Sequence, residues 1–195
     1  MKKIFSLTLL SMILASPLAL GKSDANALPK DSIYQASSSW SLQDKSRIHL
    51  SDLSGQPVLM TMAYTGCEYT CPLIIEKLRS IEAEIQKQGG TKYRIVIASF
   101  DPDADRPDRL SSFMKKRKIE NPAWSMMVAD NAPSTRELAI LLGINYKAEE
   151  GGHFSHSNVI SLLDSQGRIL HQLNGLNADH AQLVKAAVKA NGKVN

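Results

Sequence analysis

The sequence predicts an α/β protein, a central mixed sheet flanked by helices and opened by a β-hairpin. Two observations carry this. Short apolar runs alternate with amphipathic stretches between residues 58 and 142, and the chain closes with a hairpin followed by a helix. Its 195 residues are 43% hydrophobic and 22% charged, with eleven Gly and eight Pro in no repeating pattern. That composition suits a globular protein and excludes disordered and fibrous classes.

The first elements are addressed to export. Met1-Lys2-Lys3 is a basic start and Ile4 to Leu14 a mostly apolar run; Ala19-Leu20-Gly21 and Ala25-Asn26-Ala27 both fit a small-x-small cleavage site. Residues 1–27 are therefore expected to be a signal peptide and polar start, cut after Gly21 or Ala27, with residues 28–195 a single domain in the periplasm. An uncleaved membrane anchor is the competing reading, since Ile4 to Leu20 sits at the short end of a span. No cysteine lies near either site, so a lipidated N-terminal cysteine is not expected. The formal charge is +4, and cleavage after Gly21 takes Lys2 and Lys3 with no acid, which leaves +2, too small an excess to suggest nucleic acid.

Tyr34 to Leu50, with Trp40, Leu42, Ile48 and Leu50, predicts a hairpin, and Gly55-Gln56-Pro57 a turn. Val58 to Tyr64 reads as a buried strand running into Thr65-Gly66-Cys67-Glu68-Tyr69-Thr70-Cys71-Pro72. A helix follows, with Leu73, Ile74, Leu78, Ile81 and Ile85 as its apolar stripe and Gly89-Gly90 as its stop. Arg94 to Phe100 is a second strand, ending in the loop Asp101 to Asp105. A helix from Pro107 ends in Lys115-Lys116-Arg117-Lys118, a solvated end that complements the helix dipole. Trp124 to Ala129 is a strand, Ser134 to Leu142 a helix, and Val159 to Leu163 with Arg168 to Leu173 a hairpin around Asp164-Ser165-Gln166-Gly167. Ala178 to Ala190 is the last helix.

The chain holds two cysteines, Cys67 and Cys71. A structural disulfide there would close a five-residue ring, which gives only about 2 kcal/mol on the chain-entropy model. An oxidising compartment and a core large enough to stand alone leave a staple little to do. Both cysteines instead sit between the carboxyl end of a buried strand and the start of a helix, where open sheets place ligands. The helix start is expected to lower the thiol pKa, and thiolate both attacks disulfides and binds soft metals.

Two thiolates leave a metal site incomplete. Of the five histidines, His171 and His180 read as surface residues, and His49 stands in the early hairpin with no other ligand type around it. His153 and His156 stand in a polar loop, Glu149 to Ser157, just before a strand, and spacing does not choose between them. Asp101 and Asp105 read as loop carboxylates capping the next helix. Met60, Met62, Met126 and Met127 lie in strand-like runs and read as core.

Tyr64-Thr65-Gly66-Cys67-Glu68-Tyr69-Thr70-Cys71-Pro72-Leu73 resembles the signature of the Sco/SenC copper-binding proteins. Ser99-Phe100-Asp101-Pro102 with Asp105, and His156-Ser157 leading to Asp164-Ser165-Gln166-Gly167, match further motifs in the same order. The resemblance runs from about Leu42 to Gly175. It implies a thioredoxin-like fold with an added N-terminal hairpin and one copper ion, Cu(I) or Cu(II), held by Cys67, Cys71 and His156, His153 falling outside the family's position. It also implies copper delivery or thiol reduction for a client in assembly of the cytochrome c oxidase copper centre. Glu68 stands where the family usually has proline, and many relatives stay membrane-bound. The residues also suit a copper-independent thiol–disulfide oxidoreductase working on a redox partner through Cys67 and Cys71.

Overall fold

A computed structural model describes residues 27–67 and 70–192, so the segment expected to be a signal peptide lies, apart from Ala27, outside the described residues. Its seven-stranded mixed sheet has the order β2-β1-β5-β4-β3-β8-β9. The strands are β1 Ser39–Leu42, β2 Arg47–His49, β3 Val58–Ala63, β4 Arg94–Ser99, β5 Trp124–Ala129, β8 Val159–Leu163 and β9 Ile169–Asn174. Helices α1 Thr70–Lys87, α2 Pro107–Lys116, α3 Ala132–Leu141 and α4 Ala181–Asn191 complete it.

The middle of the sheet is parallel: β4 lies between β3 and β5, with Met60 opposite Val96 and Ile97 opposite Met126. Every residue of β3 and β8 is buried, as continuous apolar strands require. Met60, Met62, Met126 and Met127 are core residues, as expected. The β1–β2 hairpin adds antiparallel to β5 at one edge, with Trp40 opposite Ala129. At the other side β8 runs antiparallel to β3, with Val58 opposite Leu163. That reversal decides where the site forms: the end of β3, the end of β4 and the start of β8 lie at the same end of the sheet.

α1 buries Cys71, Ile74, Ile75, Leu78, Ile81 and Ile85, one helical face. Leu73 is 58% exposed and does not belong to it; Ile75 takes the place the sequence reading gave to Leu73. Arg79 on α1 donates to the carbonyls of Arg117 and Lys118, and Lys77 to that of Ala178, tying α1 to the segments after α2 and before α4. Lys115, Lys116 and Lys118 are exposed, and the Arg117 guanidinium lies 5.4 Å over the Phe113 ring.

Three expectations are corrected. α3 starts at Ala132 because Asn131 accepts the Ser134 N–H and so caps it. α4 starts at Ala181, which leaves His180 at its cap position. The stretch read as a loop, Glu149 to Ser157, holds a strand, β7 Phe154–His156, which pairs with β6 Tyr146–Ala148 just before it in a second, two-stranded sheet. Among the described residues no helix is long and apolar enough to cross a membrane.

Candidate metal centre

Cys67 sits past the end of β3, its N–H donating to the Tyr64 carbonyl at 3.2 Å. Cys71 falls in the first turn of α1, where Pro72 loses no hydrogen bond by lacking an N–H. Its place on the buried stripe leaves Cys71 wholly inaccessible, while Cys67 is 8% exposed. The Cys71 N–H donates to Cys67 Sγ at 3.2 Å, so the helix start fixes the position of the first sulfur. Both thiols are free.

His156 ends β7, three residues before β8 begins. Because β8 is antiparallel to β3, and Thr61 Oγ1 donates to the Val159 carbonyl at 2.7 Å, this histidine is returned to the cysteine loop. Donor atoms of Cys67, Cys71 and His156 all lie within 4.8 Å of one another. With ligand bonds of about 2.0–2.3 Å, three donors around one ion sit roughly 3.5–4 Å apart, so the observed triangle needs little closing. His156 Nδ1 is 3.2 Å from the Ser157 carbonyl, which can only accept; Nδ1 carries the hydrogen and the lone pair is on Nε2. Burial holds the imidazole pKa below its usual value, favouring the neutral, metal-ligating form.

An aromatic group shapes the surroundings. The Phe100 ring lies 4.7 Å from the His156 ring and 5.0 Å from that of Tyr146. Phe154 meets Tyr64 edge-on at 5.1 Å, and its N–H donates to Tyr64 Oη. Desolvation raises the Tyr64 pKa, further favouring the neutral hydroxyl. Tyr146 and Phe154 were not singled out from sequence. Their signal was faint: two aromatics in short polar runs around Gly151-Gly152.

Two site expectations are corrected. Burial, and next the Cys67 side chain, push the Cys71 thiol well up rather than down; desolvation outweighs the helix start. Asp105 does not cap α2, whose cap residue is Arg106 and has no side-chain capping bond; Asp105 is buried and turned toward the cysteine loop. Asp101 accepts the Ala104 N–H within its own turn. His153 is exposed and stays outside the triangle; His49 is also exposed, and His171 and His180 are partly so.

The fold and donor set define a class: a thioredoxin-like α/β protein with two cysteines and a histidine converging at the carboxyl end of its parallel strands. The SCO1/SenC family model matches residues 30–190, and the chain belongs to that family. It is similar to a SCO1 protein homolog of Bacillus subtilis (strain 168), 24% identical over 136 residues, covering 69% of this chain and 70% of that one. The crystal structure of Arabidopsis thaliana ScoI with copper bound is similar with a TM-score of 0.68 at 21% identity, covering 80% of this chain and 98% of the other. BsSco, described as having a disulfide switch and as a member of the Sco family of cytochrome c oxidase assembly proteins, has a TM-score of 0.65 at 22% identity over 80% and 91% of the two chains.

Proposed function

We propose that this chain is an exported, periplasmic copper-binding protein that carries one copper ion on Cys67, Cys71 and His156 and serves assembly of the cytochrome c oxidase copper centre. The observation that carries the reading is the triangle itself, three donors of the right softness brought within 4.8 Å by three separate segments. The two sulfurs suit Cu(I); the imidazole adds a donor that also suits Cu(II). Membership of the SCO1/SenC family and the copper held by the Arabidopsis relative support the choice of metal.

Burial keeps a proton on Cys71 in the free protein, so a metal must displace that proton to bind. The site therefore takes soft, strongly thiophilic ions and leaves weakly binding ones outside. Oxidation of Cys67 and Cys71 to a disulfide, giving up two electrons and two protons to a client disulfide, removes both sulfur ligands at once. Copper occupancy and thiol redox state are thus coupled through the same two atoms.

The test is anaerobic titration of Cu(I) into reduced, metal-free protein against a competing chelator. One ion per chain is expected, with no binding to protein whose two cysteines have been oxidised. Equal affinity in both redox states would overturn the reading. Copper-independent thiol–disulfide exchange is the second reading, favoured by two free thiols so close together. Turnover of metal-free protein in an insulin-reduction assay, without copper binding, would establish it instead.

A further inference from the structure

We propose that Asp105 is a positioning residue of the metal centre, a buried carboxylate that clamps the cysteine loop to the aromatic support of His156. The inference rests on the copper reading above and concerns a residue whose side chain is hydrogen-bonded to Thr65 and Ser99 rather than to any of the three ligands.

Asp105 is 1% exposed. A carboxylate taken so far out of water is costly unless its oxygens are hydrogen-bonded. Its Oδ1 accepts from Thr65 Oγ1 at 2.5 Å; its Oδ2 accepts from the Thr65 N–H at 3.1 Å and from Ser99 Oγ at 2.5 Å. Three donors from two other segments converge on a group that can only accept, the arrangement an ionised carboxylate satisfies and an alkyl side chain does not. The turn that presents Asp105 is itself braced. The Asp105 N–H donates to the Asp101 carbonyl at 2.8 Å, and the Asp101 N–H donates to Ser99 Oγ at 3.0 Å.

The two clamped segments carry the site. Thr65 lies two residues before Cys67 and directly follows Tyr64, whose carbonyl accepts the Cys67 N–H and whose hydroxyl accepts the Phe154 N–H. Ser99 directly precedes Phe100, on whose ring His156 rests. One carboxylate therefore fixes the approach of a sulfur donor relative to the platform of the imidazole. Groups that orient metal ligands from outside typically change metal affinity by about 10- to 100-fold when removed.

The experiment compares wild type, Asp105→Ala and Asp105→Asn for copper affinity, for the sulfur-to-Cu(II) charge-transfer band and for apo-protein melting temperature. Asp105→Ala is expected to weaken copper binding by about 10-fold or more and to shift the band. Asp105→Asn, which keeps an acceptor for the Thr65 N–H, is expected to restore much of both. An Asp105→Ala protein that melts lower but binds copper with wild-type affinity and an unmoved band would overturn the inference. If that variant does not fold, Ser99→Ala and Thr65→Val each remove one hydroxyl donor and are read in the same way. Wild type that takes no copper would instead overturn the proposed function, so the two failures are distinguishable.

Discussion

Replacing His156 by alanine removes one donor of three and leaves both sulfurs in place. For Cu(I) the two thiolates already form a favourable soft pair, so the expected loss is about 10-fold, or about 1.4 kcal/mol. For Cu(II) the imidazole matters more. Changes that only disturb a ligand's orientation cost about 10- to 100-fold, so losing the ligand itself is expected to cost about 100-fold or more, roughly 2.7 kcal/mol. The fold should notice little. His156 is half-buried against Phe100, a ring pair worth about 0.5–1.5 kcal/mol, which lowers the melting temperature by about 2–5 °C in a domain of this size. His171→Ala is the matched control, since His171 lies on β9 outside the donor triangle. The assay is competition between protein and chelator for each oxidation state at pH 7. Desolvation lowers the His156 pKa and so favours the neutral ring at that pH, which weakens proton competition with copper. Cu(II) affinity unchanged in His156→Ala, or lowered equally in His171→Ala, would refute the assignment.

Gly167 has φ +82°, and a Cβ there would lie 2.5 Å from two Tyr34 ring carbons and 2.7 Å from Ser32 Oγ. Gly167→Ala is expected to cost about 2–5 kcal/mol and lower the melting temperature by roughly 5–15 °C. Gly89→Ala, with φ +84° but open space, should lose only about 2–4 °C by thermal unfolding; equal shifts would contradict the packing account. Burial pushes Tyr93 up to about 12, and Tyr34 higher still, chiefly by desolvation. An unfolded chain therefore sheds those protons from about pH 10 while the folded one retains them. Stability is expected to be intact below pH 10 and to fall as pH rises toward 12, and urea midpoints at pH 9 and pH 11 that coincide would contradict this.

The elements with strong periodicity were legible: β3, β4, β5, the β8–β9 hairpin and α1 all lie within a few residues of where apolar spacing puts them. What was missed depended on partners far away in sequence. β6 and β7 are three residues each, and their pairing, Tyr146 with His156, leaves no alternation long enough to detect. Capping by Asp105 was the local rule for an acid just before a helix; its real partners, Thr65 and Ser99, come from two other segments. The Cys71 thiol follows the same lesson. A helix start is visible in sequence and favours thiolate, but the burial that overrides it comes from packing. Spacing alone did not separate His156 from His153. The antiparallel return of β8 along β3 does, because it brings the end of β7 back to Cys67 and leaves His153 in solvent.

The measurement that bears most directly on the central claim is a copper titration of the reduced Cys67→Ser/Cys71→Ser protein beside wild type, with circular dichroism to show both folded. Wild type is expected to take one tightly held copper ion and the double variant none at chelator-buffered concentrations. Undiminished one-to-one binding by the folded double variant would contradict a site built on those two sulfurs.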